Sequence, residues 1–184
     1  RDGEAAMKSS LAVFALGIAA LIVQGALART LSPPWCPDFA WLIVVGVGLR
    51  WPTFLSGIFL AVGLGYAMDL LSGSLMGQHA LLRILTFLAA ALAARQLDLS
   101  GGLPVGIFVF AMTILNGVLT VMMLSFFVGV NWPGMEVAGV ALAHGFVNVL
   151  AAGPMIRLVE RVLGRFSDEE VGRRAPLSLG FDRT

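Results

Sequence analysis

The sequence predicts an all-α integral membrane protein with six transmembrane helices, and three observations lead to this class. Hydrophobic residues make up 58% of the 184 residues and charged residues 12%, with a mean hydropathy of +0.90. Between Asp98 and Glu136, 37 consecutive residues carry no acidic or basic side chain, and a small soluble domain cannot bury that much apolar surface. The apolar runs approach the ~20 residues that a helix needs to cross the hydrocarbon core, and none alternates like a barrel strand.

The first predicted transmembrane helix runs from Ser9 to Ala28 and has Gln24 as its deep polar residue. Residues 1–8 are expected to form an unstructured cytoplasmic tail, in which Met7-Lys8 is a candidate native start. The end of the helix, Ala26-Leu27-Ala28, also has the small-residue pattern of a signal-peptidase site, so cleavage is the alternative. The apolar segments that follow favour a retained helix.

The second and third helices are predicted on either side of Arg50-Trp51-Pro52. Pro37 and Asp38 favour a helix start, because proline lacks a donor that would be orphaned there and an acid meets the positive end of the dipole. The second helix, 39–49, is short, about 16 residues or roughly 24 Å even when counted from Trp35. The third helix, 53–71, carries small residues at a spacing that lets two helices pack closely in lipid, namely Gly57, Ala61 and Gly65.

The remaining helices are predicted over 79–97, 104–128 and 135–159, separated by polar or proline-containing turns. Pro154 is expected to bend or weaken the sixth helix. The six helices together form one predicted membrane domain over residues 9–163. Residues 164–184 are polar and charged and are expected to be a disordered cytoplasmic tail.

The positions of Lys and Arg predict the orientation in the membrane. With six crossings and a cytoplasmic N-terminus, ten of the twelve basic residues lie on the cytoplasmic side. Only Arg29 and Arg83 lie outside or near the outer face. This asymmetry follows the positive-inside rule, so both termini are predicted to be cytoplasmic.

Polar residues within the helices are costly in lipid and are therefore the candidate functional residues. Asp69 lies at the negative end of the third helix and Arg83 at the positive end of the fourth, so each is unfavourably placed alone. Because they lie at similar depth on adjacent antiparallel helices, an Asp69–Arg83 ion pair is predicted. Snorkelling of both side chains to the outer surface is the alternative. Asn116 and Asn148 also lie at comparable depths, which predicts a hydrogen bond between them.

No catalytic, cofactor or metal site is predicted, and the chain is not expected to be an enzyme. It has no Ser/His/Asp set with identifiable partners, no paired acids and no phosphate-binding glycine loop followed by Lys-Ser/Thr. His79 has no second ligand at metal-site spacing and is interpreted as a helix-start residue. A single cysteine, Cys36, excludes an internal disulfide, and a net charge of +1 does not indicate a nucleic-acid partner.

Several short motifs, in this order along the chain, resemble those of the bacterial rod shape-determining protein MreD family. The resemblance covers about residues 7–162. Two residues depart from it, because Cys36 interrupts the proline stretch and Arg83 has no position that can be assigned to the family pattern. The motifs are Pro37-Asp38-Phe39, Asp69-Leu70-Leu71-Ser72-Gly73, Leu75-Met76-Gly77-Gln78-His79-Ala80-Leu81, and Asn148 followed by Pro154 and Arg157.

The resemblance implies a non-enzymatic scaffold of the cell-elongation complex in the bacterial inner membrane. MreD proteins work beside MreC, the actin-like MreB filament, and the pair formed by RodA and a class B penicillin-binding protein. Their fold resembles the six-helix substrate-binding subunits of energy-coupling-factor transporters. For this chain, the resemblance implies binding of the MreC membrane helix and support of peptidoglycan synthesis and rod shape, and self-association stays open. The residues expected to hold the fold or the partner are Pro37, Asp38, Gly57, Ala61, Gly65, Asp69, Ser72, Gly73, Gly77, Arg83, Asn116, Asn148 and Pro154.

A solute-binding membrane subunit of a vitamin-type transporter is the alternative function. It predicts a cavity open to the outer side, lined by polar and aromatic groups drawn from Tyr66, Asp69, His79, Arg83 and His144. The scaffold instead predicts helix-packing faces and few polar residues in the core. The small number of intramembrane polar groups favours the scaffold.

Overall fold

The computed structural model describes residues 2–32, 34–50, 54–73, 75–99, 101–132 and 134–174, and within these residues all regular structure is α-helical. These residues form six helices: α1 Asp2–Leu27, α2 Phe39–Arg50, α3 Phe54–Ser72, α4 Gln78–Gln96, α5 Gly102–Val128 and α6 Glu136–Arg174.

Four stretches within these helices are long and apolar enough to cross a membrane: Met7–Leu27, Phe54–Ser72, Gly102–Val128 and Val137–Arg165. The predicted all-α class, with helices long and apolar enough to span a membrane, is confirmed to this extent. Helices α2 and α4 do not reach the same combination of length and hydropathy, because α2 has only 12 residues and α4 is less apolar.

Helix α2 is the centre of the fold. Residues 40–49 are all buried, and the helix packs against α1, α3, α4 and α6. The outer helices contact one another in the order α1, α3, α4, α5, α6 and back to α1. Because α2 is covered on all sides, it is apolar around its whole circumference rather than on one face.

Each helix runs opposite to the one before it, as the contacts between α3 and α4 illustrate. Gly65, late in α3, lies against Ala80 at the start of α4, and Gly57, early in α3, lies against Phe87 further along α4. The contacts also show that α2 runs parallel to α4 and that α1 runs parallel to α3. The ends of α1, α3 and α5 and the starts of α2, α4 and α6 therefore lie together, at what we call the hinge end.

The small-residue stripe of α3 packs against α4. A Cβ on Gly65 would lie 2.6 Å from the backbone nitrogen of Ala80, and a Cβ on Gly57 would overlap the ring of Phe87. Ala61, between them, is completely buried. The predicted close helix packing is confirmed, and it is used inside the chain, so this face is not available to a partner.

Two helices extend beyond their predicted ends. Helix α1 begins at Asp2, within the segment that was expected to be unstructured. Helix α6 continues to Arg174, through part of the expected disordered tail, and no proline occurs between residues 155 and 174 to stop it. Pro154 lies inside α6 without ending it. The remainder of the expected tail, 175–184, lies outside the described residues.

Candidate functional site

Two groups of polar side chains lie near the hinge end, and they contain most of the residues that the sequence singled out. The first, which we call the Asp69 cluster, lies at the turn between α3 and α4. The second, which we call the Asp38 cluster, lies where the start of α2 meets α4, α5 and α6.

In the Asp69 cluster, an acid of α3 caps the N-terminus of α4. The completely buried carboxylate accepts hydrogen bonds from the backbone N–H groups of Gly77 (3.0 Å), His79 (2.8 Å) and Ala80 (3.3 Å). It also accepts a 2.8 Å hydrogen bond from Nδ1 of His79, because a carboxylate can only accept. Helix α4 has no side-chain cap of its own. Asp69 therefore satisfies donors that would otherwise be orphaned and meets the positive end of the α4 dipole.

The backbone geometry of this turn explains why glycine occurs at two of its positions. Gly73 has φ 63° and Gly77 has φ 87°, backbone conformations that side chains disfavour. The N–H of Gly73 donates to the backbone carbonyl of Asp69 at 3.2 Å and closes α3. Together the two glycines turn the chain so that the first N–H groups of α4 face Asp69. Ser72, the last residue of α3, is exposed beside them.

The predicted Asp69–Arg83 ion pair is wrong. Asp69 binds the first turn of α4, whereas Nη2 of Arg83 donates to Oδ1 of Asp38 at 3.3 Å. The prediction considered only the unfavourable position of Asp69 at the negative end of the α3 dipole. It did not consider the backbone N–H groups at the start of α4. Those donors supply the compensation, and Arg83 lies further along α4, where α4 faces α2.

In the Asp38 cluster, Asp38 caps α2 and joins it to two other helices. Its Oδ1 accepts a 2.9 Å hydrogen bond from the N–H of Trp41, as an N-cap residue does, which confirms the predicted helix start after Pro37. Its own N–H donates to Oδ1 of Asn148 on α6 at 2.9 Å. Arg83, on α4, is only 2% exposed, and its Nε and Nη1 have no acceptor among the described residues. The buried guanidinium is therefore held by a single acceptor.

A second polar contact fixes α2 against α4. The indole N–H of Trp41 donates to Oγ1 of Thr86 at 3.0 Å, and that hydroxyl donates to the carbonyl of Leu82 at 2.8 Å. Sequence reasoning missed this pair. The N–H of a buried tryptophan usually has a hydrogen-bond partner. This rule predicts that Trp41 has a partner but does not identify Thr86.

The predicted hydrogen bond between Asn116 and Asn148 is not formed, although α5 and α6 are joined by a related one. Nδ2 of Asn148 lies 3.3 Å from Oγ1 of Thr113, one turn before Asn116 on α5. Thr113 is 7% exposed, so it faces the interior more fully than Asn116 does. The side chain of Asn116 makes no hydrogen bond with another described residue.

His144 links α6 to the loop between α1 and α2. Its Nδ1 lies 3.3 Å from the carbonyl oxygen of Pro34, and its Nε2 lies 3.3 Å from Nδ2 of Asn148. A carbonyl can only accept, so Nδ1 carries the proton, and Nε2 accepts from the amide of Asn148. Both ring nitrogens of His144 are thereby engaged.

A cavity of about 200 Å³, which we call the polar cavity, opens between the start of α2 and the facing sides of α5 and α6. Residues of the Asp38 cluster form much of its wall. The residues that line it include Asp38, Trp41, Thr113, Asn116, His144 and Asn148.

The five residues proposed for a solute cavity belong to separate arrangements. Asp69 and His79 bind each other, Arg83 binds Asp38, His144 lines the polar cavity, and the Tyr66 side chain is 48% exposed. Among the described residues, no group of three or more His, Cys, Asp or Glu residues is placed to hold a metal ion.

Comparison of the chain with protein-family models, curated proteins and solved structures finds no match. What the site can do therefore follows from its chemistry. The polar side chains of both clusters largely bind one another or helix ends, so their first effect is to join α2, α3, α4, α5 and α6 at the hinge end.

Proposed function

We propose that the chain is a scaffold of the MreD type, which lies in the bacterial inner membrane and binds the membrane helix of MreC within the cell-elongation complex. Through that complex it supports peptidoglycan synthesis and rod shape beside MreB, RodA and a class B penicillin-binding protein. The proposal starts from the ordered motifs of the sequence, and the contacts of the two clusters support it.

One observation carries the proposal: separate motif segments of the sequence are hydrogen-bonded to each other. The N–H of Asp38 donates to Asn148, 110 residues later. Asp69 accepts from three N–H groups of the motif that begins the next helix. Residues that the resemblance selects by sequence alone thus form two connected clusters, as expected if the motifs specify one shared fold.

The sizes of the cavities favour a scaffold over a vitamin-type solute subunit. The polar cavity has about 200 Å³, below the ~300–1,000 Å³ of usual ligand pockets. Larger spaces also occur among the described residues. One, of about 450 Å³, has Arg50, Arg157 and Glu160 in its wall and lies at the end opposite the hinge end, not on the outer side where a solute cavity is expected. Two others, of about 500 and 540 Å³, are grooves between α1 and α3 with mainly apolar walls. Such grooves suit lipid chains or a neighbouring helix better than a polar solute.

The proposal includes six membrane-embedded helices with both termini in the cytoplasm, in the arrangement that the likeness to energy-coupling-factor subunits implies. The end opposite the hinge end holds Lys8, Arg50 and Arg95 as well as the basic residues of late α6. At the hinge end the basic residues are Arg29 and the buried Arg83. This distribution satisfies the positive-inside rule when the hinge end is outside.

Co-purification with MreC tests the proposal. The tagged chain is co-expressed with MreC, extracted in detergent and passed over a sizing column, and we expect the two to elute together. A folded chain that elutes without MreC and carries a bound small molecule instead would refute the scaffold.

Matched surface variants locate the partner. A Cβ on Gly25 of α1 or on Gly139 of α6 meets no heavy atom within 4 Å, and both glycines are exposed. Gly25→Leu and Gly139→Leu should therefore leave the fold intact, and the one that lies under MreC should reduce co-elution. Gly65→Leu is unsuitable for this purpose, because it would disrupt the packing of α3 on α4.

A further inference from the structure

We propose that the polar cavity is a binding site for a small organic ammonium group. Binding at this site does not involve MreC, so its test is independent of the test of the proposed scaffold function. Three features carry the inference: the unused hydrogen-bonding groups in the cavity wall, the aromatic wall beside them, and the volume.

Most polar groups around the cavity are already engaged. Asn148 uses its oxygen with Asp38 and its nitrogen with Thr113 and His144. His144 uses both ring nitrogens. The hydroxyl proton of Thr113 is donated to the carbonyl of Val109. These groups therefore hold the wall in place and leave few donors for a ligand.

The hydrogen-bonding groups of the cavity residues that no described residue engages are chiefly acceptors. Asp38 receives its hydrogen bonds on Oδ1, from Trp41 and Arg83, and Oδ2 accepts none from the described residues. The side-chain amide of Asn116 is likewise unused, and Thr120, whose proton goes to the backbone carbonyl of Asn116, keeps its lone pairs. A carboxylate oxygen, an amide oxygen and a hydroxyl oxygen require a ligand that donates several hydrogen bonds. A primary ammonium has three such N–H donors.

The walls and the charge favour a cation. Trp41 lines the cavity next to Asp38, and an indole attracts cations through its ring face. Arg83 approaches the other carboxylate oxygen at 3.3 Å and is only 2% exposed, so it lies on the buried side of Asp38. Oδ2 is the oxygen of Asp38 that accepts no hydrogen bond from the described residues, and the Asp38 side chain, 22% exposed, borders the cavity.

The volume selects an organic cation over a bare metal ion. About 200 Å³ corresponds to about seven water molecules at ~30 Å³ each. A bare metal ion would leave most of that space unfilled, whereas an amine with a few carbon atoms fits. Gly117 forms part of the wall, is exposed, and has no heavy atom within 4 Å of where its Cβ would lie. No described side chain therefore covers the cavity at Gly117, on the outer surface of α5.

Fluorescence of Trp41 reports directly on the cavity. Trp35, Trp51 and Trp132 are replaced by Phe, which leaves Trp41 as the only indole of the four. The purified protein is titrated at pH 7 with ethanolamine and, separately, with ethylene glycol, which has a similar size and no charge. We expect a saturable change with ethanolamine and at least about tenfold weaker binding of ethylene glycol, a difference of about 1.4 kcal/mol. No saturable change with ethanolamine, or equal binding of both, overturns the proposal.

Two substitutions test the location without disturbing the fold. Gly117→Leu adds a side chain to the wall of the cavity, and Asn116→Leu removes an amide that makes no hydrogen bond with the described residues. Both should weaken ethanolamine binding by at least about tenfold, while Gly139→Leu, an exposed α6 position outside the cavity wall, should leave it unchanged. Binding by both cavity variants at the strength of the parent protein overturns the assignment.

The same titration in lipid nanodiscs distinguishes two sources of the ammonium group. If a phosphatidylethanolamine headgroup occupies the site, ethanolamine binding is weaker in nanodiscs made of that lipid than in phosphatidylglycerol nanodiscs. Equal binding in the two lipids identifies a free amine as the ligand.

Discussion

The carboxylate of Asp69, late in α3, accepts a 2.8 Å hydrogen bond from the backbone N–H of His79, in the first turn of α4. One helix thereby supplies the cap that the next helix lacks. Since the same carboxylate also binds the imidazole of His79, the angle between α3 and α4 is fixed at their shared turn.

Removing the Asp69 carboxylate should destabilise the protein strongly. Asp69→Ala leaves three backbone N–H groups without their acceptor, and we expect a loss of at least about 2 kcal/mol, since caps and charge-assisted hydrogen bonds each contribute on that scale. Thermal unfolding in detergent, followed by circular dichroism, measures the loss. The control is Glu160→Gln, which removes an exposed ion pair with Arg50 and should cost less than about 1 kcal/mol. Equal stability of the two variants would contradict this account of Asp69.

The Asp38–Arg83 pair should behave as a coupled unit. Asp38→Asn keeps a side chain that caps helices well but leaves the buried guanidinium without its anion, which we expect to cost up to about 3 kcal/mol. Arg83→Met should cost less, because the Asp38 side chain is 22% exposed and stays hydrated. The double variant should recover much of the loss in a double-mutant cycle. Additive losses would show that the two side chains do not interact.

Three glycine-to-alanine substitutions should change the stability of the protein by different amounts, in a definite order. Gly65→Ala places a methyl group against the backbone of Ala80 and should cost about 1–3 kcal/mol, because α3 and α4 must separate. Gly57→Ala meets the ring of Phe87, which can shift, so its cost should be smaller. Gly139→Ala meets nothing within 4 Å and should stabilise α6 by up to about 1 kcal/mol. Melting temperatures give the order, and a Gly65→Ala protein as stable as Gly139→Ala would refute the close approach.

The thiol of Cys36 should react slowly at neutral pH. Burial raises the pKa of Cys36 above its ordinary value, and the negative charge of Asp38 raises it further. Because only the thiolate reacts, a raised pKa means a smaller reactive fraction at pH 7, and the rate should climb as pH approaches the pKa. Maleimide labelling from pH 6 to pH 9 measures this. The comparison is the exposed Thr30→Cys thiol in a Cys36→Ser background, and equal rates at pH 7 would contradict the raised pKa.

Reporter fusions should place Arg50 and Gly77 on opposite sides of the membrane. Arg50 ends α2 away from the hinge end, and Gly77 precedes α4 at the hinge end. Under the proposed orientation, alkaline phosphatase fused after Gly77 is active outside the cytoplasm and the same enzyme fused after Arg50 is not. Activity of both fusions, or of neither, would refute the proposed topology.

The positions of the helices were largely predictable, whereas the partners of the polar side chains were not. Apolar runs bounded by prolines and glycines placed α2, α3, α4 and α5 to within about two residues, because such residues stop helices for local reasons. Arg83 was assigned the wrong partner because its true partner, Asp38, lies on a helix that is not its neighbour in sequence. Knowing that α2 and α4 lie side by side requires the tertiary packing.

The Asp69 cluster did carry a signal in the sequence. Helix α4 begins after Gly77, with no Ser, Thr, Asp or Asn at the cap position, so its first donors needed an acceptor from elsewhere. The nearest acid, Asp69, lies eight residues earlier across a glycine-rich turn. A search for uncapped helix starts would have identified this pairing, whereas matching opposite charges did not.

The enclosure of α2 has a consequence for how the protein is made. At 12 residues it is about 18 Å long, well short of the ~30 Å hydrocarbon core. It leaves the ribosome before α3, α4 and α6, which cover it, and Asp38 waits for Asn148 over 110 residues of further synthesis. The protein cover of α2 is therefore complete only when the last helix has been synthesised. Under the proposed topology, a nascent chain that stops before α6 leaves the polar start of α2 facing lipid, and we expect membrane quality-control proteases to remove such truncated chains.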